Sequence, residues 1–367
     1  MRQRYLRDAQ PGDILEDVFV LANKQFAAGS NGKHYIKGFI SDKSQQVTAR
    51  MWNASRELFN ALPDNGFLKA RCRVENYQGN TQVIIEAVWP AKEGSFDMGD
   101  LMPMTTRDIP EMFAKLKGLV LGVRNRHLRA LMEAYFADTK LMNEFQKAPA
   151  AQTFHHAFLG GLLEHTLNAV EVADAICRFY PGLNRDVVVA GVFVHDLAKT
   201  WELKYETAFG YTDCGQLVGH VVKGAMWIEQ KAEAAAIALG EEIPQCLIDV
   251  MQHIVLSHHG LPEHGAARTP STPEAIAVHT IENLDAKLMM SLGATRGEAS
   301  ANADGNWTEY MKAFSGRLYR PDVAPPDDDA ADASEFGGAV DDVESPAMPT
   351  VKLAITNPLF ESMGKKQ

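Results

Sequence analysis

The run Val187–Val194, VVVAGVFV, is uninterrupted apolar sequence, and it ends on the doublet His195-Asp196. A stretch of this kind must be buried, and it carries the imidazole and carboxylate into the interior with it. Hydrophobic burial accounts for valine and phenylalanine but not for that doublet. Buried ionisable groups need partners, and imidazole with carboxylate is a common partner set for a divalent metal. Residues of the same type recur in order as His165, His220, the doublet His258-His259 and Asp285, mostly in stretches that read as helix or helix start. A chain with this set has to bring distant segments together at one interior point.

The region before this set is different. DVFVLANKQF, KHYIKGFISD, QQVTARMWN, FLKARCRVENY and TQVIIEAVWP read as five strands, with NASRELFNAL as a helix between the third and fourth. Five strands with a helix in that place are the OB layout, which commonly binds oligonucleotides. Alternation puts Tyr35, Lys37 and Phe39 on one face of the second strand, and Arg50 and Trp52 together on the third. Aromatic rings stack on bases and cations meet phosphates, so these five residues are the candidate single-strand platform. For Phe39 and Trp52, barrel core is an equally good reading, whereas Lys37 and Arg50 are harder to bury.

Gly, Asp and Pro in EGSFDMGDLMPMTTRDIPE mark a boundary, followed by two stretches of helical periodicity. The organisation predicted is α+β multidomain: an OB-type β-barrel over 1–95, a helical linker over 96–147 and an all-α domain over 148–317. WELKYETAFGYTD is a small β-hairpin insert in the last of these, and 318–367 form a tail. Of the 36 Lys/Arg and 47 Asp/Glu in the chain, residues 322–367 hold three and ten, a net of −7. With four prolines and few apolar residues, 322–349 are expected to be disordered. The apolar TVKLAITNPLFESM beyond is a candidate docking segment for a protein partner. Residues 1–91 are locally basic, with twelve Lys/Arg against nine Asp/Glu, so overall acidity does not exclude nucleic acid.

No apolar run approaches the roughly 20 residues that span a membrane. The N-terminus lacks the apolar core of a signal peptide, and the four cysteines are scattered without a CxxC pair. A cytoplasmic protein with reduced thiols and no membrane association is therefore expected.

The residue types suggest phosphohydrolase chemistry. His165, His195, Asp196 and Asp285 are expected to share one ion, leaving positions for water and substrate. Asp196, with two carboxylate oxygens, is the natural bridge to a second ion completed by His220 and His258. His259 can ligate, donate a proton or contact substrate. Lys199, three residues after Asp196, falls on the same side of a helix and can neutralise phosphoryl charge; the alternative is an exposed charge at a helix end. His34, His127, His264 and His279 read as structural or exposed.

The order His…His-Asp…Asp resembles the HD-domain metal-dependent phosphohydrolases. More narrowly, GGLLEHT, HDLAK and SHHG within residues 10–315 resemble the bacterial YhaM-type 3′–5′ exoribonucleases, which join an OB-fold to an HD domain. No GYP follows His258-His259, which sets the chain apart from the cyclic-di-GMP phosphodiesterase branch. The resemblance implies His165, His195, Asp196, His220, His258 and Asp285 as metal ligands; Asp196, Lys199 and His259 are the catalytic candidates read from the residues themselves. The resemblance also places His155 and His156 near substrate. It favours Mn²⁺, and two ions are expected; Fe²⁺, Co²⁺ or Zn²⁺ fit the same donors. The implied function is metal-dependent 3′–5′ hydrolysis of single-stranded RNA or DNA, with homo-oligomer formation as a further expectation. Two alternatives remain at this stage: a phosphohydrolase of small nucleotides, and a non-catalytic nucleic-acid adaptor with a structural metal.

Overall fold

Five strands, β1 (Ile14–Ala28), β2 (His34–Ser41), β3 (Gln46–Trp52), β4 (Gly66–Tyr77) and β5 (Asn80–Pro90), close into a barrel in the order β1-β2-β3-β5-β4. All neighbours are antiparallel except β3 and β5. The computed structural model describes residues 4–29, 32–77, 80–92, 94–152, 155–205, 209–297 and 305–321. The acidic segment and the apolar terminal stretch expected from residue 322 onward lie outside them.

Alternation positions the barrel's side chains. Ile36 and Ile40 of β2 point inward, as do Val47 and Ala49 of β3, and they join Phe19, Leu68, Cys72 and Val83 in one core. Helix α1 (Arg56–Ala61) begins on Ser55, whose side chain accepts from the Leu58 amide. The nearly buried Lys24 ammonium ties the end of α1 to β1. It donates to the carbonyls of Phe59 (2.6 Å) and Leu62, and so satisfies acceptors that a helix end leaves open.

The rest is helical: α2 (Ile109–Leu121), α3 (Arg126–Phe136), α4 (Thr139–Phe145), α5 (Gly161–Cys177), α6 (Arg185–Val194), α7 (Lys199–Glu202), α8 (Asp213–Leu239), α9 (Gln245–Ser257) and α10 (Pro273–Arg296). Asp108, Asn125, Asp138, Asn184, Thr212 and Thr272 cap six of these by accepting backbone amides. Two short strands, β6 (Leu203–Lys204) and β7 (Gly210–Tyr211), form the expected hairpin insert.

The expected linker over 96–147 needs correction. Leu116, Leu128, Leu131, Tyr135 and Phe145 of α2–α4 are fully buried in the same core as α5, α6, α8 and α9. Phe193 of α6 stacks on Phe136 at 4.8 Å and meets Tyr135 and Phe145 edge-on. The Gly/Pro signals belong only to the entry segment before Ile109. The amphipathic helices beyond it need a core partner and find one. The boundary at 317 also shifts, because Tyr319 bridges back to Trp307 and Arg320 to Asn306.

The barrel joins the helices through an apolar cluster. Val18 and Val20 of β1 pack with Leu101 and Met102, and Leu159 and Phe209 pack against them from the helical region. No helix of the described residues is long and apolar enough to cross a membrane.

Candidate metal centre and strand-binding face

Both histidine doublets sit immediately past the end of a buried helix. His195 is the C-cap of α6 and His258 the C-cap of α9. Each donates its Nδ1 proton three residues back, His195 to the Val192 carbonyl at 2.6 Å and His258 to the Val255 carbonyl at 2.7 Å. A helix end leaves its last carbonyls without partners, so the ring satisfies a backbone acceptor and its tautomer is fixed in one contact. His279 of α10 supports the second doublet by donating to the His258 carbonyl at 2.6 Å. Gly260 (φ +81°) leaves room for that ring, and a Cβ there would lie 2.3 Å from it.

The other two rings are fixed by carboxylates. His165, inside α5, meets Asp285 Oδ2 through Nδ1 at 2.6 Å. His220 meets Glu202 Oε2 through Nδ1 at 2.8 Å, and its backbone amide donates to Oε1 at 3.0 Å. That double grip requires a break in α8, which Gly219 supplies with φ +77° and ψ 156°, a conformation open mainly to glycine.

With Nδ1 committed in all four rings, the Nε2 atoms face one space, and Asp196 lies in it. Its Oδ1 is 3.4 Å from Nε2 of His220 and 3.4 Å from that of His258. Its Oδ2 is 3.3 Å from Nε2 of His195 and 3.8 Å from that of His165. The carboxylate thus divides its oxygens between two clusters. One comprises His165, His195 and Asp196, and the other His220, His258 and His259. Nε2 atoms face each other at 3.3 Å between His165 and His195, and at 3.0 Å between His220 and His259. Two lone pairs that close repel unless a cation or proton lies between them.

The donor set fits divalent ions on its own chemistry. Both Asp196 oxygens and His258 Nε2 are buried without a hydrogen bond. Buried polar atoms left in that state are costly, and mixed imidazole and carboxylate donors suit Mn²⁺, Fe²⁺, Co²⁺ or Zn²⁺. Lys199 is buried and pairs with Asp196 Oδ2 at 2.7 Å, at ion-pair distance but off the hydrogen-bond direction. Burial pushes the Asp196 carboxyl up, but Lys199 and His195 outweigh it and hold the group well below the usual carboxylate range. Burial lowers His258 to about 4, and it lowers His259 as well. His195 goes the other way, because the Asp196 charge overcomes its burial. The centre is therefore a fixed anion that draws positive charge to itself.

Asp285 Oδ2 meets His165 Nδ1 and also His156 Nε2 at 2.9 Å, and these three residues form a third group whose donor atoms could hold a metal ion. A carboxylate in this position can ligate an ion or, from behind, fix the tautomer of a ligating ring. His155 lies beside His165, with ring centroids 5.9 Å apart and both nitrogens buried without a partner. Sequence reasoning missed two groups. Glu202 lacks any local signal, since its partner is eighteen residues away. Glu282 lies one helical turn before Asp285, a spacing that did carry the information. Burial, then the Asp196 charge, pushes its carboxyl up to about 7.

On the barrel, Tyr35, Lys37 and Phe39 face outward on β2. Tyr35 is opposite Trp52 in register, with rings 5.0 Å apart, and Lys37 is opposite Arg50. The Arg50 guanidinium lies over both Trp52 (5.7 Å) and Tyr77 (5.2 Å), so Tyr77 extends the face beyond the five residues read from sequence. Lys69, Arg71 and Arg73 on β4 are paired with Glu16, Glu86 and Glu75. Among the described residues, Lys37 and Arg50 have no carboxylate at ion-pair distance.

Barrel and centre together define a two-part protein in which an OB-type barrel precedes an HD domain. The HD domain family model matches residues 162–287. The 3′-5′ exoribonuclease YhaM of Geobacillus sp. (strain WCH70) is 33% identical over 309 residues, which covers 83% of this chain and 91% of that protein. The chain belongs to the YhaM family of HD-domain proteins.

Proposed function

We propose that the chain is a metal-dependent 3′–5′ exonuclease that hydrolyses single-stranded RNA, with single-stranded DNA as a second substrate. The observation that carries the reading is the convergence of Nε2 atoms on the two oxygens of Asp196. His165, His195 and Asp196 would hold one divalent ion; His220, His258 and the other Asp196 oxygen would hold a second, with Mn²⁺ favoured. Such ions lower the pKa of water and neutralise phosphoryl charge. The chain's own residues do the remainder. Asp285 and Glu202 keep the imidazoles oriented, and Lys199 supplies a fixed positive charge beside the reacting phosphate. His259, kept neutral by burial, is placed to exchange a proton with the reacting oxygens. Water adds to phosphorus, the P–O3′ bond breaks, and the departing O3′ takes up a proton. We assign His155, whose nitrogens have no partner, and His156 to contacts with substrate.

The barrel presents the strand through Tyr35, Lys37, Phe39, Arg50 and Trp52. Trp52→Ala should weaken single-stranded RNA binding by about tenfold, the scale of one lost base stack. Lys37→Ala should lower the slope of log affinity against log salt by about 0.7, one phosphate contact. Fluorescence anisotropy over a salt series reads both, and unchanged curves would remove this face from the reading.

Four cysteines without a disulfide support a cytoplasmic setting. Self-association also belongs to the proposal, supported by Leu284, Leu288 and Leu292, which are exposed at four-residue spacing on α10. The test of the activity is digestion of 5′-labelled single-stranded RNA and DNA with Mn²⁺. A ladder shortening from the 3′ end, abolished by chelation, is expected. Intact oligomers alongside hydrolysed free nucleotides would replace this reading with a small-nucleotide phosphohydrolase.

A further inference from the structure

A cavity of about 420 Å³ opens beside the second histidine cluster. His220, His259 and Lys199 line its inner side, while Tyr211 of the hairpin, Val218 and His264 line the outer side. On the inner side Lys199 pairs with Asp196, Glu202 holds His220 through Nδ1, and His259 Nε2 faces that of His220. Among the described residues, the Tyr211 hydroxyl and the His264 ring have no hydrogen-bond partner. Tyr211 is 39% exposed and Val218 44%, so the outer wall offers apolar surface with nothing packed on it.

We propose that this cavity seats the base and ribose of the 3′-terminal nucleotide, with Tyr211 as the platform on which the base stacks. The inference rests on the exonuclease reading and specifies its substrate end. A hydrolase that works inward from a strand end needs, beyond the scissile phosphate, room for one nucleoside. The volume lies within the range of small-molecule sites, and the cavity reaches the metal centre at one side. An aromatic wall tolerates every base because each has a π-face, which suits an enzyme that must accept whatever base comes next. A larger cleft on the barrel, about 1010 Å³, is lined only by residues between Arg4 and Ser95 and by none of the histidine clusters, so it cannot seat a nucleoside next to the scissile phosphate.

The experiment compares first-linkage cleavage of two 5′-labelled RNA oligomers, one with an ordinary 3′ base and one with an abasic 3′ residue. The wild-type chain should prefer the ordinary end by about tenfold, the scale of one base–aromatic contact. Tyr211→Ala should bring that ratio close to one, Tyr211→Phe should restore it, and His264→Ala should reduce it by a smaller factor. Equilibrium titration with adenosine 5′-monophosphate gives a readout apart from turnover, and Tyr211→Ala should weaken binding by a similar factor. A wild-type ratio near one overturns the proposal. So does a Tyr211→Ala chain that loses rate equally on both ends, because a purely structural role leaves the ratio unchanged. Failure of the wild-type chain to shorten the ordinary oligomer at all would instead overturn the exonuclease reading beneath it.

Discussion

Asp196→Asn abolishes hydrolysis. The expected fall in kcat is on the order of 10³ or more, beyond the 10–100-fold typical of losing an outer partner of a metal ligand. The reason is geometric: one oxygen of this carboxylate faces each histidine cluster, so a neutral amide weakens both at once. The same substitution leaves the buried Lys199 ammonium without its counter-charge. Stability in chelator should therefore drop by about 3–5 kcal/mol, the cost of breaking a buried pair from one side. Asp196→Asn with Lys199→Met should recover much of that stability and none of the activity. Denaturant melts in chelator and turnover with Mn²⁺ separate the two effects. Near-normal turnover of Asp196→Asn would show that the centre lies elsewhere.

Glu202→Gln should lower activity by about 10–100-fold and reduce the number of tightly bound ions by one. Glutamate accepts from both the backbone amide and Nδ1 of His220. Glutamine has a single acceptor oxygen. If that oxygen keeps the backbone amide, the –NH₂ group faces Nδ1, which must then accept, and the proton moves to Nε2. A protonated Nε2 cannot ligate. The nearly isosteric variant should accordingly be at least as damaging as Glu202→Ala, which leaves the tautomer free. Elemental analysis after gel filtration, together with turnover, decides the matter. A full complement of ions at the wild-type rate would sink the assignment of Glu202 as a positioning residue.

These residues also mark how far the sequence was legible. The barrel could be read because a half-exposed strand repeats every two residues, as in Tyr35-Ile36-Lys37, and the period is its own evidence. The doublets could be read because each interrupts an apolar helix at its end, where burial and ionisable chemistry conflict. Glu202 could not be read. Its pairing with His220 depends on a break at Gly219 and on a hairpin that brings TWEL back toward α8, and neither leaves a periodic trace. Asp285 was read as a ligand because its type and order fit, and its carboxylate does reach His165 and His156, where it can ligate an ion or hold the rings. The helices of 96–147 were legible from their periodicity, but their place in the helical core was not, because the burial of Leu116 and Leu131 depends on partners far along the chain.

The joint between barrel and helices bears on how such an enzyme can be taken apart. Leu159 lies four residues after His155, and Phe209 two residues before Tyr211, and both are seated on the patch around Val18 and Val20. The barrel thus serves as a splint for two segments beside the histidine clusters. A gene fragment lacking it would bare that oily patch and let both segments drift. In this chain the two halves are better regarded as fitted parts of a single tool than as interchangeable cassettes.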